Sequence, residues 1–140
     1  MAKPRFVYLL NSCQRRVQQW IARQPHDDGL PMTSAHAAVL FILEMKDGEI
    51  AGNIAKKLDI VPSAVTSLVE RMVKQDLVER RTSSSDGRAN EVWLTDLGRQ
   101  QLPRVKAITK KVQAKFSAGF SDEEMEVVAR WLNHVRNEFE

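Results

Sequence analysis

Two short helical patterns, a tight turn between them and two strand patterns directly after them occupy residues 51–95. In residues 51–73, apolar or small side chains at steps of three and four predict two helices, and Ala55 is small enough to let them approach closely. Pro62 suits the first position of the second helix. The strand patterns, 77–82 and 91–95, flank a loop of Ser, Asp, Gly and Asn that suits a chain reversal. This order of elements predicts a winged helix-turn-helix.

Longer helical patterns flank this region. Four further helices are predicted, over residues 5–24, 34–45, about 96–118 and 121 to about 138. Thr33 and Thr95 are expected to cap two of them, and Ser121–Glu124 forms a capping box for the last. Pro103 lies too far into its helix for the first turn, so a bend is expected there. Residues 49–50 are expected to form a very short strand.

The predicted fold is therefore mainly α with a small β-hairpin (α+β), in a single domain over residues 1–140. A chain of 140 residues buries a core without metal or disulfide staples. We call residues 33–95, with their helix-turn-helix and hairpin, the winged-helix lobe. Residues 1–24 and 96–140 supply the terminal helices.

Composition is that of an ordinary soluble protein, with 43% apolar and 28% charged residues. The single cysteine cannot form an internal disulfide, and no apolar run approaches the roughly 18 residues of a membrane span. A cytoplasmic, nucleoid-associated protein with no membrane partner is expected. The net charge of +3 is uneven, because residues 1–26 and 97–121 are basic and the last twenty are mostly acidic. Such blocks suit nucleic acid, but solvated helix faces and pairing between subunits explain them equally well.

Three stretches resemble the MarR family of bacterial transcriptional regulators. They are VTSLVERMVKQDLVER, the DGR of the loop and VWLTDLGRQ, in the family's order and spacing. The resemblance implies an obligate homodimer in which the first helix and the last two intertwine, with two winged helices reading a pseudo-palindromic site on double-stranded DNA. The apolar stripes and aromatic residues of the terminal helices fit such a dimerisation region. Repression is expected because it is the commoner activity in the family.

The DNA-binding candidates follow from the resemblance and from helix geometry. Because Val65 and Leu68 must face inward, polar side chains on the other side of the second helix are left for base edges and phosphates. The resemblance implies an arginine at the tip of the hairpin that inserts into the minor groove, held by a nearby aspartate. The predicted DNA-binding residues are Ser63, Thr66, Ser67, Arg71, Lys74, Asp86 and Arg88. The chain departs from the family at Ser67, where a basic residue is common, and at Asp59, where glycine is common.

The resemblance also implies a signal, which in this family is of three kinds. A small, often aromatic, anionic effector would bind near the first two helices, and its candidate residues are Arg16, Trp20, His36, Phe41 and Arg104. A peroxide sensor would use Cys13, although the position of Cys13 on the apolar stripe also suits a buried hydrophobic residue. Zinc ligands are offered by His26, Asp27, Asp28 and His36, but such a run is more often a polar loop. We predict no metal and no cofactor.

Enzymatic function is not predicted, because the chain has no CxxC, no glycine-rich phosphate loop and no histidine spaced to pair with a nucleophile. The expected function is a sequence-specific DNA-binding transcriptional regulator, a homodimeric repressor released by a small effector. Two alternatives stay open. One is a peroxide-sensing repressor, and the other is a winged helix that binds proteins and not DNA.

Overall fold

The computed structural model describes residues 2–25, 32–82 and 90–140, and within them the chain forms six helices and three short strands. Helices α1 to α6 are Phe6–Ala22, Ser34–Met45, Ala51–Leu58, Pro62–Lys74, Asp96–Ser117 and Asp122–Glu138. Strands β1 to β3 are Glu49–Ile50, Val78–Thr82 and Asn90–Leu94. The predicted class, mainly helical with a small β-hairpin, is confirmed.

The chain divides into two compact units, Met1–Val105 and Lys106–Glu140. The first contains α1 to α4 and the sheet, and the second contains α6. The division falls inside α5. The predicted assignment of 33–95 to DNA binding and of the terminal helices to dimerisation stays a prediction.

The three strands form one antiparallel sheet in the order β1-β3-β2. In the β2–β3 hairpin, Arg80 lies opposite Val92. Leu77 and Thr95 were expected inside the strands but lie just outside them. The Leu77 N–H instead donates to the Met72 carbonyl at the end of α4, at 3.0 Å. The Thr95 hydroxyl accepts the Gly98 N–H at 3.0 Å and so caps α5, as expected.

One hydrophobic core holds the helix-turn-helix against the sheet. Its fully enclosed side chains come from α2, α3, α4, the link between α4 and β2, the sheet and the first half of α5, and include Leu40, Leu43, Ile54, Val65, Met72, Leu77, Val92 and Val105. The inward direction of Val65 and Leu68 is confirmed, because they are 1% and 2% exposed. Ala55 is also buried, and its small side chain suits the approach of α3 to α4.

The turn between α3 and α4 is closed by Asp59 in the left-handed region, with φ 56° and ψ 46°. The Ile60 N–H donates to the Ala55 carbonyl at 3.1 Å, which satisfies a carbonyl at the end of α3. Glycine adopts this conformation at no steric cost, and aspartate is one of the few other residues that tolerate it. The chain therefore keeps the turn geometry despite its departure from the family's usual glycine.

The expected capping residues begin their helices. Thr33 accepts the His36 N–H at 3.1 Å, and both arms of the Ser121–Glu124 capping box are present, at 3.1 and 2.9 Å. Helix α5 continues through Pro103, whose side chain is exposed. The bend expected at Pro103 stays a prediction.

Candidate nucleic-acid interface

Helix α4, which we call the recognition helix, has one buried and one exposed side. Val65, Leu68, Val69 and Met72 are buried against the core, none more than 2% exposed. Five of the predicted DNA-binding residues lie on this helix, and all five are exposed: Ser63, Thr66, Ser67, Arg71 and Lys74. A continuous polar surface therefore runs along the recognition helix from its first turn to its last.

Within this surface, the Thr66 hydroxyl donates to the Pro62 carbonyl at 3.1 Å. Its proton is used inside the helix, so in this conformation the hydroxyl oxygen offers only acceptor capacity outward. Arg71 and Lys74 stand in the last turn, where cations complement the negative end of the helix dipole. The basic end and the hydroxyl-bearing end of the recognition helix are thus separate.

Arg80, on β2, is a residue that sequence reasoning missed. Its Nη2 donates to the carbonyl of Thr66 at 3.2 Å, so the hairpin is tied to the middle of the recognition helix by a side chain 14 positions away in sequence. A cleft of about 470 Å³ adjoins this contact, lined by Glu70, Val73, Lys74, Glu79 and Arg80. The sequence feature that could have identified Arg80 is the alternation of side chains along a strand, which places Arg80 and Arg81 on opposite faces of the sheet.

Arg81 is held on the other face of the hairpin. Its guanidinium lies 4.5 Å from the centroid of the Trp93 ring and forms an ion pair with Glu79. The indole Nε1–H donates to Glu91 at 3.3 Å. Gly48 packs against the indole so closely that a Cβ there would lie 2.4 Å from the ring. These contacts fix the base of the hairpin.

Asp47 ties the base of the hairpin to the start of α5. Its Oδ1 accepts the Leu94 N–H at 2.8 Å and the Gly48 N–H at 3.1 Å, and its Oδ2 pairs with Arg99. One carboxylate thus joins the turn before β1, the end of β3 and the first turn of α5. The position of the hairpin is set at this junction as well as at the recognition helix.

Glu49 is a buried carboxylate, 2% exposed, at the beginning of the helix-turn-helix. Its oxygens accept from the Asn53 amide at 2.9 Å, the Ile50 N–H at 3.0 Å and the Lys57 ammonium at 3.2 Å. The Asn53 hydrogen bond, aided by Ile50 and the lysines, holds the pKa of Glu49 below its usual value although burial opposes this. An ionised, fully bonded carboxylate therefore joins β1 to α3.

Asp86 and Arg88, the predicted contacts at the tip of the hairpin, lie outside the described residues, as do His26, Asp27 and Asp28. Among the residues that the structure does describe, no cluster of three or more His, Cys, Asp or Glu side chains could hold a metal ion. In the same residues, no helix is long and apolar enough to cross a membrane.

The predicted effector residues differ widely in exposure. Arg16 is exposed, while Trp20, Phe41 and Arg104 are half-buried. Phe41 packs against the core, which supports a structural role for it. The Arg104 Nη1 donates to Gln101 at 3.1 Å.

His36 and Cys13 differ in exposure. The effector candidate His36 is only 4% exposed, because it lies on the buried side of α2 next to the Thr33 cap. Cys13 was interpreted as a small buried hydrophobe but is exposed, because in the described chain no side chain of α1 is buried. Apolar periodicity shows which face a helix will bury, and it does not show whether the same chain supplies the cover.

Comparison with known proteins identifies the family. The model of the MarR family matches residues 29–89, which include the helix-turn-helix and β2. The repressor MdtR of Bacillus subtilis is 30% identical over 94 residues, which cover 67% of this chain. The chain belongs to the MarR family. The match spans 61% of the length of MdtR, and the resemblance inferred from the motifs is confirmed.

Two solved structures show the same fold along the whole chain. The S. aureus MepR–DNA complex aligns with a TM-score of 0.89 and 19% identity, covering 99% of this chain and 100% of that one. The PcaV regulator of Streptomyces coelicolor, in complex with its natural ligand, aligns with a TM-score of 0.86 and 20% identity, covering 100% of both chains. These relatives are named as transcriptional regulators or repressors and not as enzymes, in agreement with the prediction that this MarR-family chain is a regulator.

Proposed function

We propose that this chain is a sequence-specific regulator of transcription that binds double-stranded DNA as a homodimer, represses, and is released by a small effector. The observation that carries the proposal is the exposed polar side of the recognition helix lying beside the hairpin, with Arg80 bonded to the Thr66 carbonyl. A helix for the major groove and a hairpin for the flanking minor groove are then held as one surface. Such a regulator works in the cytoplasm, on the nucleoid.

In this proposal the two ends of the recognition helix have different roles. Ser63, Thr66 and Ser67, in its first half, face base edges and nearby phosphates. Arg71 and Lys74, at its other end, bind phosphates and set the position of the helix without reading sequence. Arg88 enters the minor groove, and Asp86 orients it.

The homodimer is supported by apolar side chains on the terminal helices that the described chain leaves exposed. Phe6 and Leu9 of α1 are 49% and 44% exposed, and Val128 and Leu132 of α6 are 42% and 45% exposed. Full burial of a side chain of this size is worth about 1.5–3 kcal/mol, so a second copy of the chain would gain free energy by covering them. A two-fold dimer in turn requires a pseudo-palindromic operator.

The effector is proposed to be a small aromatic anion. Arg16 and Arg104 supply the positive charge, and Trp20, His36 and Phe41 supply the ring-binding surface. The half-buried state of Trp20, Phe41 and Arg104 is compatible with a site that a ligand reaches.

The test is fluorescence anisotropy on duplex DNA from upstream of the protein's own gene, over several salt concentrations. We expect tight binding with a steep negative salt slope, weakened by about 1–3 kcal/mol in Arg88→Ala. Arg136→Ala, which removes the same charge from an exposed site in α6, is the control and is expected to bind like wild type. No saturable binding at physiological salt, on this duplex or on random genomic fragments, would favour the protein-binding alternative.

Peroxide sensing is a second candidate because Cys13 is exposed in the single chain, and a homodimer that senses an oxidant must leave this thiol accessible. The expected result is loss of DNA binding after peroxide treatment, reversed by a thiol reductant. Cys13→Ser abolishes that response and leaves the response to aromatic acids in place. A peroxide response that persists in Cys13→Ser excludes this candidate.

A further inference from the structure

An exposed apolar patch lies at the leading end of the recognition helix, and we call Ile60, Val61 and Pro62 the apolar tip. Val61 is 63% exposed and Ile60 is 38% exposed. The tip borders a shallow groove of about 600 Å³ whose lining includes Gly52, Lys56, Asp59, Ile60, Val61 and Pro62. Ala64, one turn further on, is exposed as well. Three consecutive apolar residues are thus presented to the surroundings where the recognition helix begins.

The fold does not explain Val61. The core beneath is filled by residues such as Ile54, Val65 and Leu68, each at most 2% exposed. Val61 occupies the N-cap of α4 and makes no side-chain cap hydrogen bond. Serine, threonine, aspartate and asparagine are strongly preferred at that position because their side chains satisfy a free backbone N–H. Local stability would therefore favour a polar residue where the chain has an exposed valine.

The chemistry of the first two turns points to the kind of base that they read. Residues 62–69 contain no charged side chain, so no guanidinium is available for guanine O6 and N7. Thr66 presents acceptor capacity, since its hydroxyl proton is used at Pro62, and adenine N6 is a donor. Thymine is the base with a methyl group in the major groove, and apolar side chains recognise that methyl. A·T pairs therefore match both features, and the hydroxyls of Ser63 and Ser67 can serve either kind of base pair.

We propose that the apolar tip is a specificity determinant, with Val61 at its centre, that packs against the 5-methyl groups of thymines in the operator's major groove. Lys56, exposed on the wall of the same groove, is placed to meet the flanking phosphate. The patch continues directly into the polar surface of the recognition helix. This inference rests on the proposed function, because it names what the DNA-binding surface reads.

The test replaces single thymines of the operator by deoxyuridine, which removes the methyl group and nothing else. The operator is first obtained by selecting bound duplexes from a random pool with the full chain. At each thymine that the tip contacts, wild type is expected to bind the deoxyuridine duplex about three- to fivefold more weakly, the loss expected for one buried methyl.

The matched variant is Val61→Ser, which removes the apolar surface and supplies a favoured N-cap. Its thermal midpoint is expected to rise by about 2–5 °C, whereas its affinities for thymine and deoxyuridine duplexes become equal at those positions. Val127→Ser removes a similarly exposed valine, 53% exposed, from α6 and keeps the discrimination of wild type. A purely structural role for Val61 would instead lower the midpoint and leave the discrimination intact.

The outcomes separate this inference from the one on which it rests. If wild type selects and binds a duplex tightly but is indifferent to deoxyuridine at every position, the thymine-methyl role is wrong and DNA binding stands. If discrimination persists in Val61→Ser, the methyl is read by other residues and Val61 is not the determinant. If no duplex is bound, both proposals fail, and the apolar tip becomes a candidate surface for a protein partner.

Discussion

The recognition helix buries its apolar face within its own chain, whereas the terminal helices α1 and α6 leave theirs exposed. Helix α4, with 13 residues, buries four side chains in the core of the winged-helix lobe. Helices α1 and α6, with 17 residues each and both described in full, bury none, although their sequences have apolar stripes of the same spacing. An amphipathic helix gains most of its stability from the surface that covers its apolar stripe.

Helices with the same apolar spacing can therefore be stabilised either by their own chain or by a second molecule. The winged-helix lobe and the first half of α5 enclose a core within one chain, so the stability of this core is expected to be independent of protein concentration. If the proposed homodimer is correct, the apolar stripes of α1 and α6 are buried only by a second copy of the chain. Their contribution to the free energy of unfolding is then expected to grow with protein concentration. Substitutions of the same type in the two regions test this.

The largest effect is expected for Leu43→Ala. Leu43 is fully buried in α2, and its truncation removes apolar contact and leaves a cavity, at a cost of about 2–5 kcal/mol. The matched change is Leu132→Ala in α6, where the side chain is 45% exposed. For Leu132→Ala, urea unfolding at low protein concentration should show a free energy of unfolding reduced by less than about 1 kcal/mol. Sedimentation should show weaker self-association of this variant. Equal reductions of the free energy of unfolding in the two variants, with self-association unchanged, would contradict the proposed difference between the core of the lobe and the stripe of α6.

The next effect is expected at Glu49, the buried charge of the lobe. Glu49→Gln removes the charge that Asn53 and Lys57 stabilise, and it should cost about 1.5–3 kcal/mol at pH 7. Because the folded-state pKa of Glu49 is lowered, its contribution is fully present above the usual value of 4.5 and is lost as pH falls from there through the folded pKa. Unfolding free energies below pH 5 should therefore decline more steeply in wild type than in Glu49→Gln.

The control for this pH effect is Glu79→Gln, whose carboxylate is 48% exposed and pairs with Arg81 at the surface. Exposed ion pairs contribute little, so the change at pH 7 should stay below about 1 kcal/mol. A decline with acid that is identical in wild type and Glu49→Gln would show that the buried carboxylate is not the group responsible.

Local sequence predicted the elements that local chemistry determines. The Ser121–Glu124 box and the Thr95 cap each depend on atoms within a few residues, and both are found. Contacts between distant positions were not predictable. Arg99 reaches Asp47 across 52 positions, and the partner of Arg80 is a backbone carbonyl, which every residue possesses.

Exposure was the second limit of prediction. The stripe of α1 resembles that of a core helix, and only the folded chain shows that it is uncovered and leaves Cys13 exposed. For the candidate site, helical periodicity was sufficient to identify the exposed side of α4. The role of the hairpin tip depends on Arg88, outside the described residues.

A smaller effect is expected where α5 leaves the winged-helix lobe. A Cβ at Gly98 would lie 2.2 Å from the backbone oxygen of Leu77, which has little freedom to move. Gly98→Ala should therefore cost about 1–3 kcal/mol in urea unfolding. Gly52→Ala, in α3, where the new Cβ would lie within 4 Å of no atom beyond its chain neighbours and its own helix backbone, should stabilise the folded chain by about 0.5–1 kcal/mol. If Gly98→Ala leaves the free energy of unfolding unchanged, the start of α5 can shift away from Leu77. The packing around the winged-helix lobe would then be less rigid than the contrast with the terminal helices assumes.

The smallest effect on folding, with a clear effect on binding, is expected for Arg80. Its hydrogen bond to the Thr66 carbonyl is exposed, so Arg80→Ala should change unfolding by less than about 1 kcal/mol. DNA affinity should fall about fivefold, because the recognition helix and the hairpin then have to be ordered relative to each other on binding. Arg80→Lys keeps the charge but replaces the planar guanidinium by an ammonium, and it should lose as much as Arg80→Ala if the guanidinium geometry is needed for the single hydrogen bond to Thr66.

The salt dependence decides what Arg80 does. A residue that positions the recognition helix leaves the slope of log affinity against log salt unchanged, whereas a phosphate contact that is removed reduces its magnitude by about one. Rescue by Arg80→Lys together with a reduced slope in Arg80→Ala would therefore reassign Arg80 from positioning to direct contact with DNA. An unchanged slope with no rescue would support a lobe that binds DNA as one rigid surface, in contrast to the terminal helices, which are proposed to depend on a second copy of the chain.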